Sequence, residues 1–262
     1  MEVAKALTIA GSDSGGGAGI QADLKTFSAF QVFGTSVLTA VTAQNSLGVH
    51  AVHTLPASFV SAQLDAVLED FGTDAAKTGM LATAEIIRMV AAGLRRHRMR
   101  YLVVDPVMVA KSGDPLIRPD ARDALISEIL PLAFVVTPNL HEASVLAGIP
   151  VRTLAEMEQA ARLIGARGPR HVLVKGGHLA GEPTDILWDG TAFKRFSGER
   201  IKSSSTHGTG CTLSAAIAAG LALGHPVDEA IARAKAYVTR AIQEGFQPGH
   251  GVGVLRHFIE GW

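Results

Sequence analysis

Ser204-Ser205-Thr206-His207-Gly208-Thr209-Gly210-Cys211 runs directly into the alanine-rich apolar stretch Thr212–Leu223. Two glycines allow a tight backbone turn, and the stretch behind them reads as a buried helix. Several free N–H groups then converge on one point at the positive end of a helix dipole, which makes an anion cradle. The only cysteine of the chain stands where the first turn begins. The plainer reading is a glycine turn with a small buried thiol. What surrounds this stretch in the rest of the chain decides between them.

Upstream, short apolar runs alternate with amphipathic stretches. Ala6–Ala10, Ser36–Ala43, Ala75–Thr78, Tyr101–Asp105, Phe134–Thr137 and His171–Lys175 read as strands ending at polar or glycine residues. Between them, Phe59, Val60, Leu64, Val67, Leu68 and Phe71 share one helical face, as do Ile86, Ile87, Val90 and Leu94. Leu154, Met157, Ala161 and Ile164 form a third stripe, opened by a Thr153…Glu156 capping box. Apolar strands alternating with helices predict a mostly parallel sheet covered on both faces. Two hairpins interrupt the rhythm, one around Asn45-Ser46-Leu47-Gly48 and one around Asp189-Gly190. No segment has linker composition, so residues 1–262 read as one domain.

The 262 residues carry 47% hydrophobic and 18% charged side chains, with zero formal net charge and 5% aromatics. A basic stripe is absent, which removes the electrostatic footing for nucleic-acid binding. One cysteine excludes an intrachain disulfide and fits a reducing compartment. The run Cys211–Gly224 is too short to span a bilayer and stops at His225-Pro226. A soluble, cytoplasmic protein is expected.

In open parallel sheets, ligands bind at the carboxyl ends of the strands. Here the first strand is followed by Gly11-Ser12-Asp13-Ser14-Gly15-Gly16-Gly17-Ala18-Gly19, and the second by Thr42-Ala43-Gln44-Asn45. Later strands lead into Thr78-Gly79-Met80, Asp105-Pro106-Val107-Met108, Thr137-Pro138-Asn139-Leu140-His141-Glu142 and Lys175-Gly176-Gly177-His178. One glycine turn is structure; the same edge decorated six times reads as a site.

The first loop matches neither common nucleotide motif. Ile20 stands where the dinucleotide fingerprint needs its last glycine, and Leu24 where a phosphate loop needs one. The remaining reading is a loop whose backbone approaches a small substrate, with Asp13 and Asp23 as polar handles; the alternative leaves Asp23 as a solvated helix residue. Gln44 offers an amide that can pair with an aminopyrimidine edge, or is a surface glutamine. Met80 and Val107 can supply apolar walls, or belong to the core. Asn139 and Glu142 form a capping box, or Glu142 joins Asp105 beside a hydrated magnesium ion bridging nucleotide phosphates. Lys175 can place a cation on a polyphosphate, or sit on the surface at a strand end. The ten histidines lack metal-ligand spacing. Cys211, at a helix start beside amide donors, is predicted to have a depressed pKa and to act as a base toward an attacking hydroxyl. The amides of 208–211 then stabilise charge on a transferring phosphoryl group.

In this order the blocks resemble the hydroxymethylpyrimidine/phosphomethylpyrimidine kinases of thiamine biosynthesis, within the ribokinase-like superfamily. The resemblance rests on Ala10–Asp13 with Gly17–Phe27, Thr42–Ser46, Asp105–Asp114, Thr137–Ala143, Lys175–His178 and Thr206–Ser214. It implies an α/β three-layer sandwich, usually a homodimer, that uses Mg-ATP to phosphorylate the hydroxymethyl group of the pyrimidine and then the monophosphate. Gln44 would hold the pyrimidine, with Gly11, Asp23, Met80 and Val107 around it. Asp105, Asn139, Glu142, Lys175 and Thr206 would serve Mg-ATP, Asp105 and Glu142 contacting the metal through water. Gly208, Thr209, Gly210 and Cys211 would form the anion hole, with Lys175 assisting. Two blocks depart from the family pattern: the triple glycine 15–17, and the tail Gly249-His250-Gly251-Val252-Gly253-Val254. The alternatives are a pyridoxal kinase of the same family and a vitamin-precursor-binding module without catalysis. Met108–Pro115, with Lys111, Ser112 and Gly113, is either a cover over the site or a surface loop.

Overall fold

The computed structural model describes residues 3–108 and 119–262. Its frame is a nine-stranded sheet: β1 Lys5–Ser12, β2 Phe33–Asn45, β3 Gly48–Thr54, β4 Ala75–Thr78, β5 Leu102–Val104, β6 Val135–Val136, β7 His171–Val174, β8 Asp185–Trp188 and β9 Phe193–Phe196. The order across the sheet is β3-β2-β1-β4-β5-β6-β7-β8-β9. From β2 to β7 every neighbouring pair is parallel. The antiparallel pairs are the two expected hairpins, β2–β3 at one edge and β8–β9 at the other, and β7–β8 where the second hairpin joins the parallel strands.

Successive strand residues face opposite sides of the sheet, and both sides are apolar. Leu7, Ala76, Leu102, Val136, Val172 and Ile186 pack on one face, while Ala6, Ala75, Val103, Val135, Leu173 and Leu187 pack on the other. The first face is covered by α2 Ala57–Asp70, α3 Ala84–Arg96, α4 Pro119–Ala124, α5 Leu140–Ala147 and α6 Leu154–Gly165. The second is covered by α1 Gly19–Ala29, α7 Thr209–Ala222 and α8 Val227–Gln243. The result is the expected three-layer sandwich. α7 is buried almost throughout, as its alanine-rich sequence requires, because α1 and α8 flank it.

The capping box of α6 forms as predicted, with Thr153 accepting from the Glu156 amide. One stripe needs correction. In α2 only Val60 and Leu64 of the predicted face are fully buried, and Phe59 is 57% exposed. Phe71 lies past the helix end and leans on the ring of Phe33 instead, with centroids 6.1 Å apart. Among the described residues, no helix is long and apolar enough to cross a membrane.

A small second sheet matters for the site. β10 Ser205–His207, the strand leading into α7, pairs in parallel with β11 Gly253–Val254 from the tail. The tail also reaches the β2–β3 turn, where the Val252 N–H donates to the Ser46 carbonyl at 2.8 Å. The divergent tail therefore holds the anion-cradle strand and the Gln44 hairpin together.

Candidate active site

α7 begins at Gly208, whose φ of 83° lies in the left-handed region that favours glycine. A side chain there would overlap the carbonyl of Gly17, so the first glycine loop and the cradle are in backbone contact. Gly208 offers no side-chain cap. The first-turn amides of 209–211 have no intrahelical carbonyl to pair with and stay available to an anion. Thr209 Oγ1 donates to the Thr206 carbonyl at 2.8 Å, which ties the turn to β10.

The strand ends deliver charge to this helix start. Lys175 follows β7 and places Nζ 3.0 Å from Asp105 Oδ1, just past β5. Both groups lie 3.4 Å from where a Cβ would stand on Gly210, with the carboxylate presenting Oδ2. Burial opposes the charge on Lys175, but Asp105 and Glu142 hold its pKa above the usual range. Asn139 bridges to Lys175 across the sheet edge.

The expected capping box of Asn139 and Glu142 forms. The Glu142 amide donates to Asn139 Oδ1 at 2.9 Å, and the Asn139 amide donates back to Glu142 Oε2 at 2.8 Å, a complete capping box. The same carboxyl is buried beside Lys175 and Asp105. Burial, with repulsion from Asp105, pushes it up to about 7 against the pull of Lys175.

Two predicted roles change. Asp23 is neither a substrate handle nor solvated. It is fully buried on α1, accepts from Thr8 Oγ1 at 2.6 Å, and pairs with Lys77 Nζ at 2.9 Å. Burial pulls Lys77 down, but Asp23, Cys211 and Asp105 together keep it protonated. Cys211 is the second correction. Its thiol is pushed up to about 11 rather than down, because burial outweighs Lys77 and the Gly19 amide that donates to the sulfur. Asp23 and Asp105 push in the same direction as burial. Amides at a helix start lower a thiol, but here burial and these carboxylates outweigh them.

Gly11 is buried at the end of β1, and a Cβ there would stand 2.5 Å from Met80 Cε, so the two expected substrate neighbours touch. Val107 is half-buried just past Asp105. Gln44 ends up near the cradle through His207, whose Nε2 lies 3.4 Å from the Gln44 amide. Asp13 organises the first loop. Its carboxylate accepts from the amides of Gly15, Gly17 and Ala18, and from His207 Nε2 at 2.9 Å. Burial opposes ionisation of Asp13, yet His207 and the loop amides hold its pKa below the ordinary value. On the Lys175 side, Asp185 accepts from the Gly176 amide at 2.8 Å, and Arg200 binds the carbonyls of Gly177, Leu179 and Gly181.

Lys77 and His207 stand close to these groups without having been singled out from the sequence. A lysine inside Ala75-Ala76-Lys77-Thr78 was the available signal, since a cation within a buried strand needs an acid beside it. Met108–Pro115, read as either a cover or a surface loop, lies beyond Met108 outside the described residues.

A parallel sheet that brings a lysine and two carboxylates to the open amides of a buried helix defines a ribokinase-like phosphotransferase. Comparison with known proteins narrows this class. Residues 13–256 match the family model for phosphomethylpyrimidine kinase, and the chain belongs to that family. It is 56% identical to the hydroxymethylpyrimidine/phosphomethylpyrimidine kinase of Rhizobium meliloti, over 98% of each chain. It is 54% identical to the thiamine biosynthesis bifunctional protein ThiED of Geobacter sulfurreducens, covering 97% of this chain and 52% of that one. Among solved structures, an ADP complex of Bacillus subtilis pyridoxal kinase superposes with a TM-score of 0.92 at 42% identity, over 98% of both chains. Phosphomethylpyrimidine kinase from Clostridium difficile gives 0.83 at 46% identity, over 91% of this chain and 99% of the other.

Proposed function

We propose that this chain transfers the γ-phosphoryl group of ATP to the hydroxymethyl group of 4-amino-5-hydroxymethyl-2-methylpyrimidine, and a second one to the resulting monophosphate, giving the diphosphate used to make thiamine diphosphate. The observation that carries the reading is the Asp105–Lys175 pair beside Gly210 at the open start of α7, with Glu142 close to both charges. The names of relatives sharing 44–56% identity supply the substrate. The reading treats the whole chain as one domain and, on family likeness, as a cytoplasmic homodimer.

In the first transfer the hydroxymethyl oxygen bonds to the γ-phosphorus, the β–γ bridging bond breaks, and ADP leaves. Phosphoryl transfer proceeds through a loose transition state, so positioning and charge stabilisation dominate over covalent help. The amides of Gly208, Thr209, Gly210 and Cys211 face the charge on the transferring group. Lys175 adds a fixed cation beside them. Asp105 and Glu142 suit a hydrated magnesium ion: two carboxylates suffice, and Glu142, held up partly by Asp105, gains from a nearby dication. Bound there, magnesium would neutralise charge on the polyphosphate. Asn139 and Thr206 frame the nucleotide side. Gln44, with Gly11, Met80 and Val107, receives the ring. Cys211, as a neutral thiol, orients the hydroxyl, whose proton passes late in a loose transition state to an oxygen of the transferred phosphoryl group.

A pyridoxal kinase activity is the second reading, favoured by the fit to the Bacillus subtilis structure. Measuring kcat/KM for both substrates with Mg-ATP separates them. The pyrimidine is expected to be the better substrate; preference for pyridoxal would overturn the reading.

A further inference from the structure

The side-chain amide of Gln44 lies between Thr42 and His207, and both neighbours have settled hydrogen-bonding roles. Thr42 has one hydroxyl proton, which goes to the Ser12 carbonyl at 2.9 Å. The Gln44 atom 3.3 Å from Thr42 Oγ1 must then be a donor, because only lone pairs remain there. At the other end, His207 Nε2 is 2.9 Å from Asp13 Oδ2. An ionised carboxylate can only accept, so Nε2 carries the hydrogen. A donor 3.4 Å from that nitrogen finds no lone pair there, whereas an acceptor shares the hydrogen already given to Asp13, so the Gln44 atom on this side is the oxygen.

Amide oxygen and nitrogen are alike in shape, so their placement follows from partners. With Oε1 toward Thr42 and Nε2 toward His207, acceptor meets acceptor and donor meets donor. A half-turn about the terminal bond resolves both conflicts together. We propose that Gln44 holds Oε1 toward His207 and Nε2 toward Thr42, and that Asp13, His207 and Thr42 are positioning residues that thereby decide which way round the pyrimidine binds.

This inference rests on the pyrimidine kinase reading above. An aminopyrimidine edge pairs its ring nitrogen with an amide N–H and its amine with the amide oxygen. The amine then lies on the His207 side. In the substrate the hydroxymethyl carbon is attached next to the carbon bearing that amine. His207 leads straight into Gly208, so the reacting arm is turned toward the anion cradle. The opposite amide orientation would send the arm toward Thr42, away from it. Pyridoxal has no amine beside its ring nitrogen and gains nothing from this arrangement.

Two measurements on the full chain test the proposal. In the ¹⁵N-glutamine-labelled protein, the Gln44 Nε2 protons should show nuclear Overhauser contacts to the Thr42 methyl group; contacts to the His207 ring instead would overturn it. Kinetically, His207→Leu and Thr42→Val should each lower kcat on the pyrimidine about tenfold, with its Kd changed by less than about threefold, since the ring still pairs when reversed. His207→Gln, which keeps an N–H donor, should recover most of the loss. Wild-type kcat in Thr42→Val, or kcat and affinity falling together, would overturn the proposal. Thr42 sits on β2, outside the cradle, so its variant carries the test even if His207→Leu does not fold. Should the wild-type protein leave the pyrimidine untouched, the substrate reading fails, and the Gln44 spectrum still decides the amide.

Discussion

Lys175 Nζ and Asp105 Oδ1 stand 3.0 Å apart at the ends of two sheet strands, with Asp105 nearly inaccessible. The lysine neutralises a buried acid, and the proposed function gives it a second task, facing the polyphosphate of ATP. Lys175→Met should lower kcat/KM for ATP about 10²–10³-fold, as loss of one preorganised donor does. It should also lower the magnesium concentration for half-maximal rate, because Asp105 is freed from a competing cation. Initial rates across ATP and magnesium titrations check both; unchanged kcat/KM would remove Lys175 from the site.

The Asp23–Lys77 pair is fully buried, so its halves should be far from equivalent to the whole. Lys77→Met leaves an acid without compensation and should cost about 3–5 kcal/mol in urea unfolding. The double variant Asp23→Leu/Lys77→Met should recover much of that, since no charge remains in the core. A double variant as unstable as the two single losses added would argue against a coupled pair.

Cys211 should behave as an ordinary thiol raised by burial. Its alkylation by iodoacetamide is expected to accelerate about tenfold per pH unit from pH 7 to 10, following the thiolate fraction. A plateau near pH 8 would show a depressed pKa and restore the base role. Cys211→Ala should accordingly cost kcat about tenfold, below the 10²–10⁴-fold of a working general base.

Acid stability reports on the tail. His257 is buried, its Nε2 is 3.0 Å from Thr212 Oγ1 on α7, and Tyr237 donates to its carbonyl. Burial, helped by Lys25, lowers its pKa to about 4. The unfolded chain binds this proton near pH 6.5, before the folded one does. The contribution is therefore present above pH 6.5 and lost as pH falls toward 4. His257→Gln should flatten the fall in melting temperature across that window; an unchanged slope would assign it elsewhere.

The architecture was legible because period-two strands and alternating helices are local patterns. Every strand of the main sheet, both hairpins and both capping boxes were readable, with element ends shifted by a few residues, while the β10–β11 pair was not. The rim was legible because each strand end carries its own polar block. What escaped reading depends on distance in space. Asp13 and His207 bond across 194 residues, and nothing local in either loop announces it. Cys211 failed for the same reason: the amides that lower a thiol are its chain neighbours, while Asp23 and Asp105, which help raise it, come from α1 and β5. For Glu142 the cap was legible from spacing, while its burial beside Lys175 and Asp105 depends on three strand ends meeting in space.

The most direct measurement follows the phosphorus. Purified protein incubated with Mg-ATP and hydroxymethylpyrimidine, watched by ³¹P NMR, should give the monophosphate first and the diphosphate second, with one ADP released for each. ATP left unconsumed in the presence of the pyrimidine would contradict the account at its centre.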